Sequence, residues 1–324
     1  MSGDAAHVLL AGATGYIGRV VADRLLQRNL SHTLIQRQPP ADASHDTRRH
    51  VIVTDVCDDR ALEDALASTQ PDVVISCLAS RSGAPDDAWV IDHEANSRLL
   101  RIATERGAKH FILLSALCVQ KPRLAFQHAK LAFERELVDS SLRYSIVRPT
   151  AFFRSLSGQI ARVQAGKPFL VFGDGELTAC KPIGEADLAD YLVDCIDLPE
   201  RHDRILPIGG PGAALTPIDQ AAILFRLMGR EPSIRHVPVG LLTGVAAVLD
   251  PFGRVFNAAR VKAELARIGR YYATESMLLW DEDEQRYDAD ATPSTGTRTL
   301  EDHYRHVLEK GIAGHEAKEH RLFD

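Results

Sequence analysis

Residues 12–18 read Gly-Ala-Thr-Gly-Tyr-Ile-Gly, and the apolar run His7–Ala11 leads directly into them. Three glycines, Gly12, Gly15 and Gly18, therefore fall at a strand-to-helix turn, with Ile17, Val20, Val21 and Leu25 following at helical spacing. Glycine lets a backbone turn this tightly and approach a pyrophosphate, while the next helix presents unpaired N–H groups to the anion. The segment Gly12, Thr14, Gly15, Tyr16, Ile17 and Gly18 thus reads as a dinucleotide site, a plain glycine-rich turn being the alternative. A side chain at Gly12 or Gly15 is expected to abolish cofactor binding and leave the chain folded. The second chemical feature is Lys130. Phe126, Lys130, Phe133 and Leu137 share one narrow helical face. An ammonium in such a stripe is costly to bury unless it is paired or working; otherwise it extends along the stripe into water.

These residues need a frame. The runs His7–Ala11, Thr33–Gln36, His50–Thr54, Asp72–Ser76, His110–Ser115 and Tyr144–Arg148 alternate with amphipathic segments. One such segment is Ala88–Ala103, where Ile91, Ala95, Leu99 and Ile102 share a face. The alternation predicts an α/β fold, a Rossmann-type doubly wound parallel sheet over residues 1–150. After Pro149 glycine and proline become frequent, and then the helical stretch Glu185–Ile196 returns. Residues 184–210 are expected to pack back on the sheet. Residues 151–183 and 211–324 read as a smaller mixed α/β domain that covers the carboxyl ends of the strands and binds substrate.

Ligands of an open parallel sheet sit at those carboxyl ends. The second strand ends at Arg37, where an NAD-binding fold usually carries an acid. A guanidinium pairs with a 2′-phosphate that an acid would repel, so Arg37 argues for NADP(H); a solvated surface arginine is the bland alternative. The third strand delivers Asp55, and the fourth delivers Cys77, Leu78, Ala79 and Ser80 to the cofactor side.

A formal charge of −6 argues against a nucleic-acid partner. The five cysteines are widely spaced and form no metal-ligand pattern. Met1 to Ala6 leaves no room for a signal or transit segment, so a cytoplasmic protein is expected. The nearly uncharged stretch Val237–Leu249 is too short to span a bilayer. It reads as a buried or interfacial helix, or as the wall of a greasy pocket, and peripheral membrane contact stays open.

In short-chain reductases, a Ser after strand five and a Tyr-x-x-x-Lys pair on the next helix form the active site. Ser115 and Lys130 fit that pattern, and Phe126 stands in the tyrosine's place. Alcohol–ketone interconversion would lack its usual acid there. The segments 76–81, 107–111, 115–122, 144–153, 172–175, 179–183, 206–212 and 269–277 resemble those of the divinyl chlorophyllide 8-vinyl reductases. The likeness covers nearly the whole chain, and that family also has Phe at this place. It implies NADPH-dependent reduction of the 8-vinyl group of a magnesium chlorin or porphyrin pigment to ethyl, in (bacterio)chlorophyll synthesis. The Mg²⁺ would come with the pigment, and no dedicated metal site is expected. The resemblance makes Lys130, Ser115 and Phe126 the catalytic set, with Lys130 also on the cofactor ribose. It puts Pro149, Thr150, Ala151 and Phe152 beside the nicotinamide carboxamide. Phe152, Phe153, Phe169 and Phe172 are candidate walls for the flat ring, with core packing as the alternative for each. Cys180 and Lys181 complete the substrate set. Plant members carry a transit segment, and its absence here points to a photosynthetic bacterium. Two rivals remain: an isoflavone-reductase-like enzyme, and an NADP-sensing regulator without turnover.

Overall fold

The computed structural model describes residues 6–40, 46–253 and 257–311. The segment read for targeting lies outside them, apart from Ala6.

The chain opens with β1 (Val8–Ala11), α1 (Tyr16–Gln27), β2 (His32–Gln36), β3 (Arg49–Val53), α2 (Asp59–Ala65) and β4 (Val73–Ser76). Next come α3 (Pro85–Ala88), a π-helical turn over Trp89–Glu94, α4 (Ala95–Glu105) and β5 (His110–Leu114). A 3₁₀ turn at Leu117–Gln120 leads to α5 (Ala125–Val138) and β6 (Arg143–Pro149). Then follow α6 (Phe153–Leu156), α7 (Ile160–Gln164), β7 (Phe169–Phe172), α8 (Glu185–Asp194) and β8 (Arg204–Ile208). The remainder is α9 (Pro217–Leu227), β9 (Ile234–Val237), α10 (Gly240–Gly253), α11 (Asn257–Thr274), β10 (Leu279–Asp281), β11 (Arg286–Asp288) and α12 (Leu300–Lys310).

Seven strands form one sheet in the order β3-β2-β1-β4-β5-β6-β8. The pairings from β3 through β6 are parallel, so the sheet is doubly wound and reverses its strand order between β1 and β4. Fully buried strands such as β1, β4 and β5 read as nearly continuous apolar runs because helices cover both faces. The sequence pattern marks six of these strands and does not mark β8. That strand is an edge, carries Pro207 and leaves Ile205 44% exposed, so it lacks the apolar run of a central strand.

The chain divides into two compact units, residues 1–148 with 188–206, and residues 149–187 with 207–324. In the first, Arg24 and Arg28 of α1 pair with Asp190 and Asp194 of α8 at 3.0 and 2.6 Å. The second has its own core, including Phe153, Phe169, Val171, Leu224, Phe225 and Tyr304. Its β7 and β9 pair in parallel, and β10 and β11 form an antiparallel hairpin.

The segment expected as one helix from Ala88 to Ala103 departs most from its pattern. The π turn widens one turn of the helix and shifts its register. Asp92 and Asn96 lie with Ala95 and Leu99 on the buried side, while Ile91 is only half-buried.

Candidate active site

The glycine turn is built as its spacing demands. Gly12 has φ +78°, and a Cβ there would lie 2.6 Å from the Cys77 carbonyl oxygen. A Cβ at Gly18 would sit 2.1 Å from the Gly12 carbonyl oxygen, so this glycine lets α1 close onto the turn. Gly15 is different: its Cβ would meet only the Gly12 oxygen, at 3.2 Å. The expectation that a side chain at Gly12 spares the fold is therefore corrected to one of lost stability, because φ is positive and the backbone just past β4 leaves no room. Gly15 caps α1 with no side-chain hydrogen bond, and the first turn of the helix holds no acid. Thr14 and Gly15 are exposed and Tyr16 is half-buried, whereas Ile17 and Gly18 are buried against the sheet. The helix terminus thus offers its N–H groups and positive dipole end to an anion, and the residues fit a dinucleotide pyrophosphate.

Arg37 stands exposed one residue past β2, and among the described residues no carboxylate pairs with it. Asp55 spends one carboxylate oxygen on the Cys57 N–H, at 3.0 Å, and so shapes the turn after β3. Beyond β4, Leu78 packs against the core and Ala79 is exposed. Burial pushes the Cys77 thiol up to about 12, against the pull of the nearby Lys130 ammonium. A thiol so placed is not a nucleophile at neutral pH.

Lys130 does not snorkel. Its Nζ lies 2.9 Å from Asp92 Oδ1, with side-chain exposures of 10% and 1%. The second Asp92 oxygen accepts the Ser80 N–H at 3.4 Å. Asn96 donates from Nδ2 to the Ile91 and Asp92 carbonyls of the π turn, each at 3.2 Å. Ser76 of β4 donates in turn to Asn96 Oδ1 at 2.5 Å. Hydrogen bonds thus run from Ser76 through Asn96 to the Asp92 main chain, and the Asp92 carboxylate ion-pairs with Lys130.

Ser115 is buried, and its hydroxyl donates to Glu134 Oε1 on α5. Glu134 is clasped by Arg148 of β6, through Nε at 3.2 Å and through Nη2. The hydroxyl that sequence reasoning gave a catalytic role is thus committed as a donor and can only accept from a ligand. Phe126 is half-buried near the start of α5. Gln127 beside it accepts from the Arg123 and Leu124 N–H groups and donates to the Cys118 carbonyl, pinning the preceding turn.

In the second unit the backbone of 149–153 is held by several hydrogen bonds. Thr150 N–H donates to Ile208 O, Ile183 N–H to Ala151 O, and Phe153 N–H to Ile183 O. The Thr150 hydroxyl donates to Lys181 O, and Lys181 Nζ donates to Thr292 O at 3.0 Å. Phe153 is fully buried against His303, and Phe169 is 3% exposed in the same core. Cys180 is 6% exposed, its thiol pushed up to about 12 by burial. Phe153, Phe169 and Cys180 are therefore core residues and present no surface to a ligand, a correction to their expected substrate role. Phe152 and Phe172 are half-buried.

Sequence reasoning missed Asp92, Asn96, Glu134 and Arg148. A signal existed for the first two. Asp92, Ala95, Asn96 and Leu99 fall at i, i+3, i+4 and i+7, which sets two polar side chains on a core face.

An NAD(P)H-binding family model matches residues 12–199. The divinyl chlorophyllide a 8-vinyl-reductase of Cucumis sativus is 46% identical over 98% of this chain and 80% of its own length. The chain belongs to the divinyl chlorophyllide a 8-vinyl-reductase family. The Arabidopsis thaliana member of that reductase family is 45% identical over 97% of this chain and 79% of its own length. Both units of the present chain thus lie within the reductase likeness. Among solved structures, a nucleoside-diphosphate-sugar epimerase from Staphylococcus aureus superposes with a TM-score of 0.65. It covers 92% of this chain and 99% of its own at 15% identity, which shows the shared fold alone.

Proposed function

We propose that this protein reduces the 8-vinyl group of a divinyl chlorophyllide to ethyl with NADPH. The observation that carries the reading is the 46% identity to the cucumber reductase, sustained over 98% of the chain. NADPH, when bound, supplies a hydride for the terminal vinyl carbon, and the second hydrogen comes as a proton. The N–H groups at the start of α1 hold the pyrophosphate, and Arg37 pairs with the 2′-phosphate. Lys130 holds the nicotinamide ribose, with Asp92 as its positioning residue. A proton reaches the reduced vinyl group from a water that Lys130 orders or from solvent. Ser115, Glu134 and Arg148 fix the end of β5 against α5 and β6. Phe126 supplies no phenol, which a carbonyl would need and a vinyl group does not. Of the candidate pigment walls, Phe152 and Phe172 keep surface to offer.

The test is turnover of divinyl chlorophyllide with NADPH deuterated at C4. One deuterium is expected on the new ethyl group, with the second hydrogen from solvent. Phe126→Tyr should not raise the rate. Absence of turnover, or an ethyl group labelled only from solvent, overturns the reading.

A further inference from the structure

The uncharged stretch Val237–Leu249 is packed on one side and leaves much of its surface in water. It forms most of α10, where Leu242 lies against Gly269 of α11 and Ala246 is 8% exposed. An adjoining side faces water and carries Leu241, Val245 and Val248, exposed by 57%, 41% and 65%. Their i, i+4, i+7 spacing makes one continuous stripe. A helix that is apolar on both its packed and its outer side has an outer face still to cover.

The surrounding charge says what covers it. Arg235 is exposed on β9, five residues before the start of α10, and Lys262 and Arg270 are exposed on α11. Among the described residues none of these three is in an ion pair. The two acids on the hairpin, Asp250 and Glu264, are both bound by Arg267. Gly269 lies against Leu242, which sets Arg270 at the Leu241 end of the stripe. A greasy ridge rimmed by unpaired cations complements an anionic lipid surface. A second copy fits less well. Three side chains of this size offer roughly a few hundred Å² at most, against about 800 Å² per partner in a stable interface, and pairing two such ridges would bring like charges together. Among the described residues no helix is long and apolar enough to cross a membrane. A 14-residue helix with this pattern lies in the surface instead.

We propose that the α10–α11 hairpin docks this protein on anionic lipid membranes, with Leu241, Val245 and Val248 entering the headgroup–acyl boundary. Arg235, Lys262 and Arg270 then hold the lipid phosphates. The surface is separate from the reductase reading, and its test needs neither pigment nor NADPH. The full chain is sedimented with sucrose-loaded vesicles of phosphatidylcholine alone, or mixed equally with phosphatidylglycerol. Wild type is expected to pellet with the mixed vesicles and to be released by high salt. Leu241→Asp with Val248→Asp should lower that partition about tenfold or more, and Arg235→Glu with Arg270→Glu about as much. Both pairs are surface changes, and unchanged thermal midpoints confirm that they fold. Wild type remaining in the supernatant overturns the proposal, as does binding that neither variant reduces. Light scattering that shows a dimer abolished by Leu241→Asp with Val248→Asp would assign the face to a second copy and also overturn it.

Discussion

The Lys130 ammonium lies 2.9 Å from the Asp92 carboxylate, both side chains nearly out of water, and a π turn brings the aspartate there. A pair this buried costs desolvation on both sides, and removing one partner strands the other charge. Lys130→Met keeps the stem and deletes the ammonium. It should lower turnover about 10²-fold, the usual size of a lost positioning or acid–base contribution. Asp92→Asn should lower kcat about tenfold or more with little change in KM for the pigment. In the double variant, turnover should fall no further than in Lys130→Met alone, because Asp92 acts through the lysine. Chemical denaturation adds a second measure. Each single variant should lose about 3 kcal/mol, and the double variant should be more stable than either. Additive losses in turnover would separate Asp92 from the lysine.

The three glycines divide by cause. Gly12→Ala and Gly18→Ala should each destabilise the chain by about 1–3 kcal/mol, because an added Cβ meets backbone that cannot yield. Gly15→Ala needs only a small give at the Gly12 carbonyl and should leave the melting temperature almost unchanged. Its NADPH affinity should nevertheless fall about tenfold, close to 1.4 kcal/mol. Undiminished affinity in this folded variant would move the pyrophosphate away from the α1 terminus.

The sheet was legible because its strands are short β-branched runs and its first turn needs glycine at particular φ and contact positions. β8 escaped because Pro207 and an exposed edge erase the apolar pattern. Lys130 was legible as a charge in an apolar stripe, but its partner was not. Asp92 falls at ordinary helical spacing with Ala95 and Leu99, but nothing in the spacing says that this face, rather than the one through Ile91, meets α5 and Lys130. The aromatic candidates failed for a plainer reason. Phe153 and Phe169 look the same in sequence whether they line a ligand or fill a core, and only packing separates them from Phe152 and Phe172.

Arg37 is exposed, without a carboxylate partner among the described residues, and stands where the second strand ends. Arg37→Ala should weaken NADPH binding by about 1–3 kcal/mol and leave NADH nearly untouched, measured by cofactor titration of the folded variant. Equal losses for the two cofactors would show that Arg37 does not read the 2′-phosphate.

His110 at the start of β5 makes stability depend on pH in a definite direction. Burial holds its imidazole down to about 4, and the neighbouring His202 and Arg143 push the same way. The Ser145 hydroxyl donates to Arg201 O at 2.8 Å, so its oxygen accepts from His110 Nε2, at 2.9 Å, and Nδ1 is the bare nitrogen. The native state therefore keeps this histidine neutral well below 6.5, while the unfolded chain takes up a proton near that value. Between about 6.5 and 4 the unfolded state binds more protons, so stability falls as the pH falls. The full effect is about 3 kcal/mol, reached as the pH passes the folded value. Thermal midpoints recorded from pH 7 to pH 4 should therefore drop more steeply in the wild type than in His110→Leu, which has no proton to gain. Parallel curves for the two proteins would remove His110 as the source of the acid sensitivity.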